Sequence, residues 1–211
     1  MATTTDSSPR AAGYRGKRVF DLCISGLALP LLSPLFLIIS VLVKVSSRGP
    51  VFFRQERLGL CGRPFIMLKF RSMVVDASTL GSNVSPAGDP RVTRLGSFLR
   101  KTYLDEMPQL LNVLRGDMSL VGPRPETPEY VAMYSPQERR VLDVRPGMAG
   151  PSTLAFESEA DVLARSADPY RYYVDHLMHA RVRVDLEYLE RQSILYDLGV
   201  LFRTLLMVVS E

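Results

Sequence analysis

The sequence predicts an α/β chain that is mostly helical. A re-entrant membrane helix, helix-break-helix, joins a small cytoplasmic globular domain with a β-hairpin and amphipathic interfacial helices. Three observations carry this reading. Leu22 to Val43 is a run of 22 residues with no charged side chain and prolines in its middle. Two short strand-like runs flank a glycine-bearing loop between residues 51 and 70. Most of the chain beyond residue 95 has helical periodicity or helix-start signals, and it closes on an apolar stretch interrupted by charges.

The apolar run comes first. As an unbroken helix it would reach ~33 Å, enough to cross a hydrocarbon core of ~30 Å. Pro30 and Pro34 each remove a backbone donor and crowd the preceding turn. Both flanks are basic: Arg15, Lys17 and Arg18 before, Lys44, Arg48, Arg54 and Arg57 after. Basic flanks tend to stay cytoplasmic, so both ends are expected on one side, with the helix broken at Ser33-Pro34 and the Ser33 hydroxyl satisfying freed backbone. A kinked single span is the alternative. Lys17 and Arg18 are read as membrane-interface residues holding phosphate headgroups. Asp21 is either a helix-start acid or half of an ion pair with Arg18 or the globular part. The expected division is a disordered tail over 1–13, a membrane helix over 14–45 and a cytoplasmic domain over 46–211.

Composition narrows the partners. At 211 residues with 46% apolar and 23% charged side chains, the chain fits one membrane-associated domain. Its net charge of +4 suits an anionic membrane surface or an anionic substrate. No helix-turn-helix stands out, so nucleic acid is not expected. Cys23 lies in the apolar run and Cys61 in a polar loop, which argues against a disulfide and fits a reducing cytosol. The apolar run is too long for a signal-peptide core.

Beyond a turn at 46–50, Val51-Phe52-Phe53 and Phe65 to Phe70 read as the strands of a basic hairpin carrying Arg54, Arg57, Arg63, Lys69 and Arg71. Residues 76–95 form a long polar connection containing Arg91 and Arg94. In 97–115, Leu99, Tyr103, Met107, Leu110 and Leu114 share one helical face, but Pro108 forbids a uniform helix. A break before it places Asp105 and Glu106 at a helix start, where anions are favoured. Pro123 and Pro125 stiffen the backbone around Arg124, and Arg145 sits on a second proline-glycine loop, so both guanidinium groups are preorganised for phosphate. A short polar helix is expected over 136–142. His176 and His179 share a helix face but lack companions for a metal site. The segment 152–180 also carries the acids Glu157, Glu159 and Asp161. Residues 181–193 read as a charged helix, and 194–209 as an interfacial or core-packing helix.

Paired carboxylates, rigid arginines and a membrane run together suggest phosphoryl chemistry on a lipid substrate. No G-x-x-x-x-G-K loop is present, which argues against an ATPase. In KRVFD at 17–21, KFRSM at 69–73, DPRVTRLGSFLRK at 89–101, LDEMPQLLNVLRGDMSLVGPRP at 104–125 and VRPGMAG at 144–150, the chain resembles the bacterial sugar transferases, the monotopic phosphoglycosyl transferases. The resemblance covers roughly residues 15–206.

The resemblance implies a small enzyme at the cytoplasmic face of the inner membrane, with 46–211 as its catalytic domain. It would move a sugar-1-phosphate from a UDP-sugar to polyprenyl (undecaprenyl) phosphate and release UMP. Asp105 would be the nucleophile that forms an aspartyl phosphosugar. Glu106 would assist by holding Mg²⁺, with Asp105, or by handling a proton. Arg124 and Arg145 would hold phosphates, and Lys69, Arg71, Arg91 and Arg94 would serve the donor diphosphate or the lipid phosphate. Asp185 resembles a late acid of the family, read here as one half of a structural ion pair. A homodimer is left open. Many members follow the RPG loop with a GWAQVNGR-like run, whereas Gly150 leads here into PSTLAFESEADVL and the chain has no Trp, which bears on the sugar. The alternative from another class is a non-catalytic membrane adaptor binding anionic lipid or a partner, in which the basic hairpin matters and Asp105 does not.

Overall fold

In the computed structural model, which describes residues 13–210 apart from 78, 83 and 157, the apolar run folds as α1 (Lys17–Ser46). Glu157 and all of the expected tail except Gly13 lie outside the described residues. Pro30 and Pro34 both lie inside α1, so no loop interrupts the helix at Ser33-Pro34, where a break was expected. The reason is local. Pro34 has no N–H to give the carbonyl of Pro30. Ser33 Oγ donates to that carbonyl instead, at 2.8 Å.

Both ends of α1 pack on the same globular body. Near its start, Phe20, Ile24 and Leu32 join a core of Met67, Leu110, Val113 and Tyr188. Near its end, Ile39 and Val43 are buried with Phe70, Leu99 and Met107. Another face, including Leu27, Leu31, Leu37 and Val45, is exposed.

The basic residues at the start of α1 do not face outward. Lys17 is buried and pairs with Asp197 and with Asp21, the latter at 3.3 Å. Tyr14 and Tyr188 hydroxyls donate to the same Asp197 at 3.0 and 2.8 Å, and Asp21 accepts from the Leu120 amide at 3.1 Å. Two buried carboxylates demand a counter-charge, and Lys17 supplies it. Asp21's partners are therefore Lys17 and a backbone amide, not Arg18. Arg18 donates to the carbonyls of Val113 and Leu114 at 2.6 and 2.9 Å. Those are last-turn acceptors of the helix Gln109–Arg115, where a cation is favoured. The expectation that Lys17 and Arg18 hold lipid headgroups is corrected accordingly.

The hairpin forms as β1 (Phe52–Leu58) and β2 (Pro64–Phe70), antiparallel, with Phe52 opposite Phe70 and Leu58 opposite Pro64. β1 extends past Phe53 because Arg54 to Arg57 find cross-strand partners, which the charge run concealed. Helix α2 (Arg94–Lys101) is capped by Thr93, whose Oγ1 accepts from the Gly96 amide at 2.9 Å. Gly96 lies so close to Ser72 that a Cβ there would meet the Ser72 carbonyl at 1.8 Å. A 3₁₀ turn at Leu104–Glu106 comes next, then α3 (Gln109–Arg115), which ends on Gly116 with φ 94°. The break before Pro108 is thus where it was expected. The fully buried Asn112 on α3 accepts from Leu68 N at 3.1 Å and donates to Ile66 O at 2.7 Å, fixing β2 to α3.

A second sheet pairs β3 (Ser119–Val121) with β4 (Gly147–Ala149) in parallel. Between them lie α4 (Pro128–Ala132) and a 3₁₀ segment, Glu138–Asp143, where a short helix over 136–142 was expected. Then come α5 (Pro151–Ala155), α6 (Glu159–Ala164) and α7 (Pro169–Tyr172). α7 runs through one π turn, Tyr173–Leu177, into α8 (Met178–Arg191). The last helix, α9 (Ile194–Ser210), buries Asp197, Val200 and Met207 and exposes Leu195, Leu198, Phe202, Leu205 and Leu206. It packs against β3, β4 and α5, as the core-packing reading expected.

Candidate active site

The loops joining these elements surround a cavity of about 920 Å³. Among the described residues, eight basic side chains line it: Arg54, Arg57, Lys69, Arg71, Arg91, Arg100, Arg124 and Arg181. Its acids include Asp105 and Glu106, carried on the 3₁₀ turn. Tyr103, just before that turn, holds a left-handed φ of 54°, a conformation that costs about 1–3 kcal/mol in a non-glycine residue and clusters at functional sites.

Adjacent in sequence, the two carboxylates are held differently. Asp105 is buried, and loss of solvent raises its pKa above the ordinary aspartate range despite the nearby charges of Lys69 and Arg100. Glu106 is pushed up by desolvation too. There the charges of Lys69 and Arg124, with hydrogen bonds from Lys69 and Gln109, outweigh it and hold the pKa below the usual glutamate value. Lys69 makes a direct ion pair with Glu106. Burial therefore favours the neutral form of Asp105, whereas Glu106 is held as an anion.

Arg124 is placed by its own main chain. Its amide donates to Asp185 at 3.0 Å, and Ser152 donates to the same carboxylate through its amide (3.3 Å) and hydroxyl (2.9 Å). Asp185 so joins the GPRP loop to the start of α5. Among the described residues it makes backbone and hydroxyl bonds and no ion pair, which corrects the expected role. Burial raises its pKa to about 6, against those hydrogen bonds. Glu126 organises the next two cations. It accepts from Arg57 at 3.1 Å and from the Tyr173 hydroxyl at 2.8 Å, and it lies 3.8 Å from Arg124 Nε.

The other expected phosphate ligands divide. Arg71 lines the cavity, yet its Nη2 is spent on the Val43 and Ser47 carbonyls at 3.2 and 2.7 Å, tying β2 to the end of α1. Arg91 also lines it but serves the polar connection. It chelates Asp89 and donates to the carbonyls of Ala77, Ser82 and Val84. Arg94 is exposed on α2 and does not line the cavity. Arg145 does not either: its Nε donates to the Gly116 carbonyl at 2.8 Å, beside Arg18 and Lys17. His179 bonds Glu138 at 2.6 Å, and no group of three or more metal-ligating side chains occurs among the described residues.

Sequence reasoning left out Arg100, Glu126 and Arg181, and gave Arg57 no role beyond the membrane flank and the basic hairpin. Arg100 bonds the hydroxyls of Ser72 and Ser85 at 2.9 and 2.7 Å. Its position within LRKTYLDE, five residues before Asp105, was the signal available. Arg181 carried no local signal, because only the fold brings α8 to the cavity.

The family described as bacterial sugar transferase matches residues 12–211. A UDP-glucose:undecaprenyl-phosphate glucose-1-phosphate transferase of Escherichia coli is 38% identical over 196 residues, 89% of this chain and 39% of that protein. A UDP-N-acetylgalactosamine-undecaprenyl-phosphate N-acetylgalactosaminephosphotransferase of Aeromonas hydrophila is 37% identical over 199 residues, covering 92% and 44%. The exopolysaccharide production protein ExoY of Sinorhizobium fredii is 36% identical over 211 residues, covering 93% and 86%. The chain thus spans less than half of the first two relatives. With the match running through the apolar helix, the carboxylate turn and the arginine loops alike, the chain belongs to the bacterial sugar transferase family.

Proposed function

We propose that the chain moves a sugar-1-phosphate from a UDP-sugar to polyprenyl phosphate, the first membrane step of glycoconjugate assembly. The observation that carries this is Asp105, a buried carboxylate on a cavity lined by eight cationic side chains among the described residues. In the first half-reaction an Asp105 carboxylate oxygen bonds to the β-phosphorus. The bond from that phosphorus to the bridging oxygen breaks, and UMP leaves with the electron pair. In the second, a phosphate oxygen of the polyprenyl phosphate bonds to the same phosphorus. The acyl-phosphate bond breaks, Asp105 regains its charge, and a polyprenyl diphosphate sugar results. Splitting the transfer lets two anionic substrates use one nucleophile in turn. Arg124, Arg57 and Arg100 balance phosphoryl charge, and Lys69 keeps Glu106 ionised and in place.

Asp105 and Glu106, adjacent carboxylates on one turn of the cavity wall, fit Mg²⁺, a hard cation that takes one or two carboxylates and completes its shell with substrate oxygens and water. Glu106 would hold it, with Asp105 before attack, and when bound it neutralises diphosphate charge.

The exposed apolar faces of α1 and α9 support a membrane-associated body. Both ends of α1 pack on that body, which supports a re-entrant helix with both flanks on one side, and the basic flanks favour the cytoplasmic face of the inner membrane. Cysteines placed near residues 15 and 48 should label from the same side of inverted vesicles; opposite sides would overturn the re-entrant reading.

The test of function is UMP release from a panel of UDP-sugars with undecaprenyl phosphate in liposomes. Wild type should release UMP and, without acceptor, retain radiolabelled sugar phosphate on the protein. Asp105→Asn should do neither; full turnover by that variant would remove Asp105 from the mechanism.

A further inference from the structure

One part of the cavity wall takes no part in the transfer of the phosphoryl group. It is built by Thr153, Phe156, Glu159 and Ala160, on and around α5 and α6, together with Arg181 of α8. Thr153, Phe156 and Glu159 line the cavity there, and the fold brings Arg181 of α8 against them. Arg181 is only 5% exposed, forms an ion pair with Glu159, and stacks over the Phe156 ring at 5.9 Å from its centroid. Its Nε has no hydrogen-bond partner among the described residues. An unpaired buried donor costs free energy, so a guanidinium kept this way at a cavity wall is suited to a ligand oxygen.

Its place relative to the carboxylates matters. The charge of Arg124 acts both on Glu106 and on Arg181. Asp105, Glu106, Arg124 and this wall all line one cavity. A phosphoryl group held in that cavity shares it with Phe156, Glu159 and Arg181, which a substituent on its phosphorus would meet.

Resting on the proposed transferase reaction, we infer that Phe156, Glu159 and Arg181 form the subsite for the sugar of the donor and set which sugar is accepted. The chemistry matches a pyranose. A carboxylate accepts from ring hydroxyls, a guanidinium donates to their oxygens, and an aromatic ring packs against the apolar C–H face. A uracil would need a different pattern, an edge of alternating donors and acceptors.

The test compares the full-length chain with Glu159→Gln and Phe156→Leu in liposomes. It measures kcat/KM for UDP-glucose, UDP-galactose and their two N-acetylated counterparts, and the inhibition constant for UMP. Each variant should change the ratio of kcat/KM between at least two donors by about tenfold, the scale at which pocket contacts discriminate sugars differing at one group. UMP inhibition should stay as in wild type. Phe156→Leu leaves the Glu159–Arg181 pair in place, so the two variants do not share one route to misfolding. An equal loss for all donors, or a shifted UMP inhibition constant, would overturn the sugar subsite, the second by assigning the wall to the nucleotide. A wild-type chain that releases UMP from no donor overturns the transferase reading, and the subsite with it.

Discussion

The backbone amide of Arg124 donates to the carboxylate of Asp185 at 3.0 Å, across 61 residues of sequence. That bond, with two from Ser152, makes Asp185 the post on which the arginine loop is hung. Asp185→Asn keeps the shape but turns one acceptor into an NH₂ group facing amide donors. Leaving a buried amide unpaired costs about 1–3 kcal/mol. The variant should stay folded and lose about tenfold or more in kcat/KM for the donor, corresponding to at least ~1.4 kcal/mol. Steady-state kinetics with a thermal melt separates the two effects. A lower melting temperature with unchanged kcat/KM would show that Asp185 only stabilises the fold.

Asp105 gives opposite signs for stability and activity. Its folded pKa is raised, so the fold favours its protonated form. The associated stability is fully present below the unfolded aspartate pKa and is lost as pH rises through the raised folded value. In the proposed reaction the ionised form is the nucleophile, so kcat/KM should climb with pH over that same interval. Asp105→Asn should therefore melt at or above the wild-type temperature at pH 7.5, with the difference shrinking as pH is lowered, while activity is abolished. Melts at several pH values check the sign.

Lys17 is expected to be a structural residue and not a lipid contact. Lys17→Met leaves Asp21 and Asp197 buried without their cation, and breaking such a set costs about 3–5 kcal/mol. Melting in detergent micelles, with no lipid present, should show the loss. An unchanged melt, with weaker binding only to anionic liposomes, would restore the headgroup role.

Ser33→Ala removes the hydroxyl that satisfies the Pro30 carbonyl. In an apolar surround the unpaired acceptor costs about 1–3 kcal/mol. The expected outcome is lower stability in liposomes with unchanged kcat for the protein that remains folded, read by proteolysis and UMP release in parallel.

Backbone constraints were legible in the sequence. Pro108 forbade a uniform helix, so a break beside Asp105 and Glu106 was readable, although they occupy a separate 3₁₀ turn and not the start of α3. Prolines 123 and 125 made Arg124 legible in the same way. Side-chain direction was not legible. Arg145 has as rigid a loop as Arg124, yet it turns to the Gly116 carbonyl, because α3 ends there with an open acceptor. Lys17 looked like a headgroup ligand because Asp197, which claims it, lies 180 residues away. Arg91, expected to serve a substrate phosphate, is held by Asp89 two residues earlier, a partner visible in the sequence. Arg181 and Glu126 could be found only when α8 and the π turn were seen against the hairpin.

Arg18 on the last carbonyls of α3, Lys17 between two carboxylates and Arg71 on the end of α1 have a joint consequence. The apolar helix is a wall of the protein's interior, not a detachable tether. Exchanging it for the membrane segment of a relative should fail unless matching positions on α3, β3 and α9 are exchanged with it. Along this lineage, a change in how the protein meets the bilayer has to be accepted by the residues that carry Asp105.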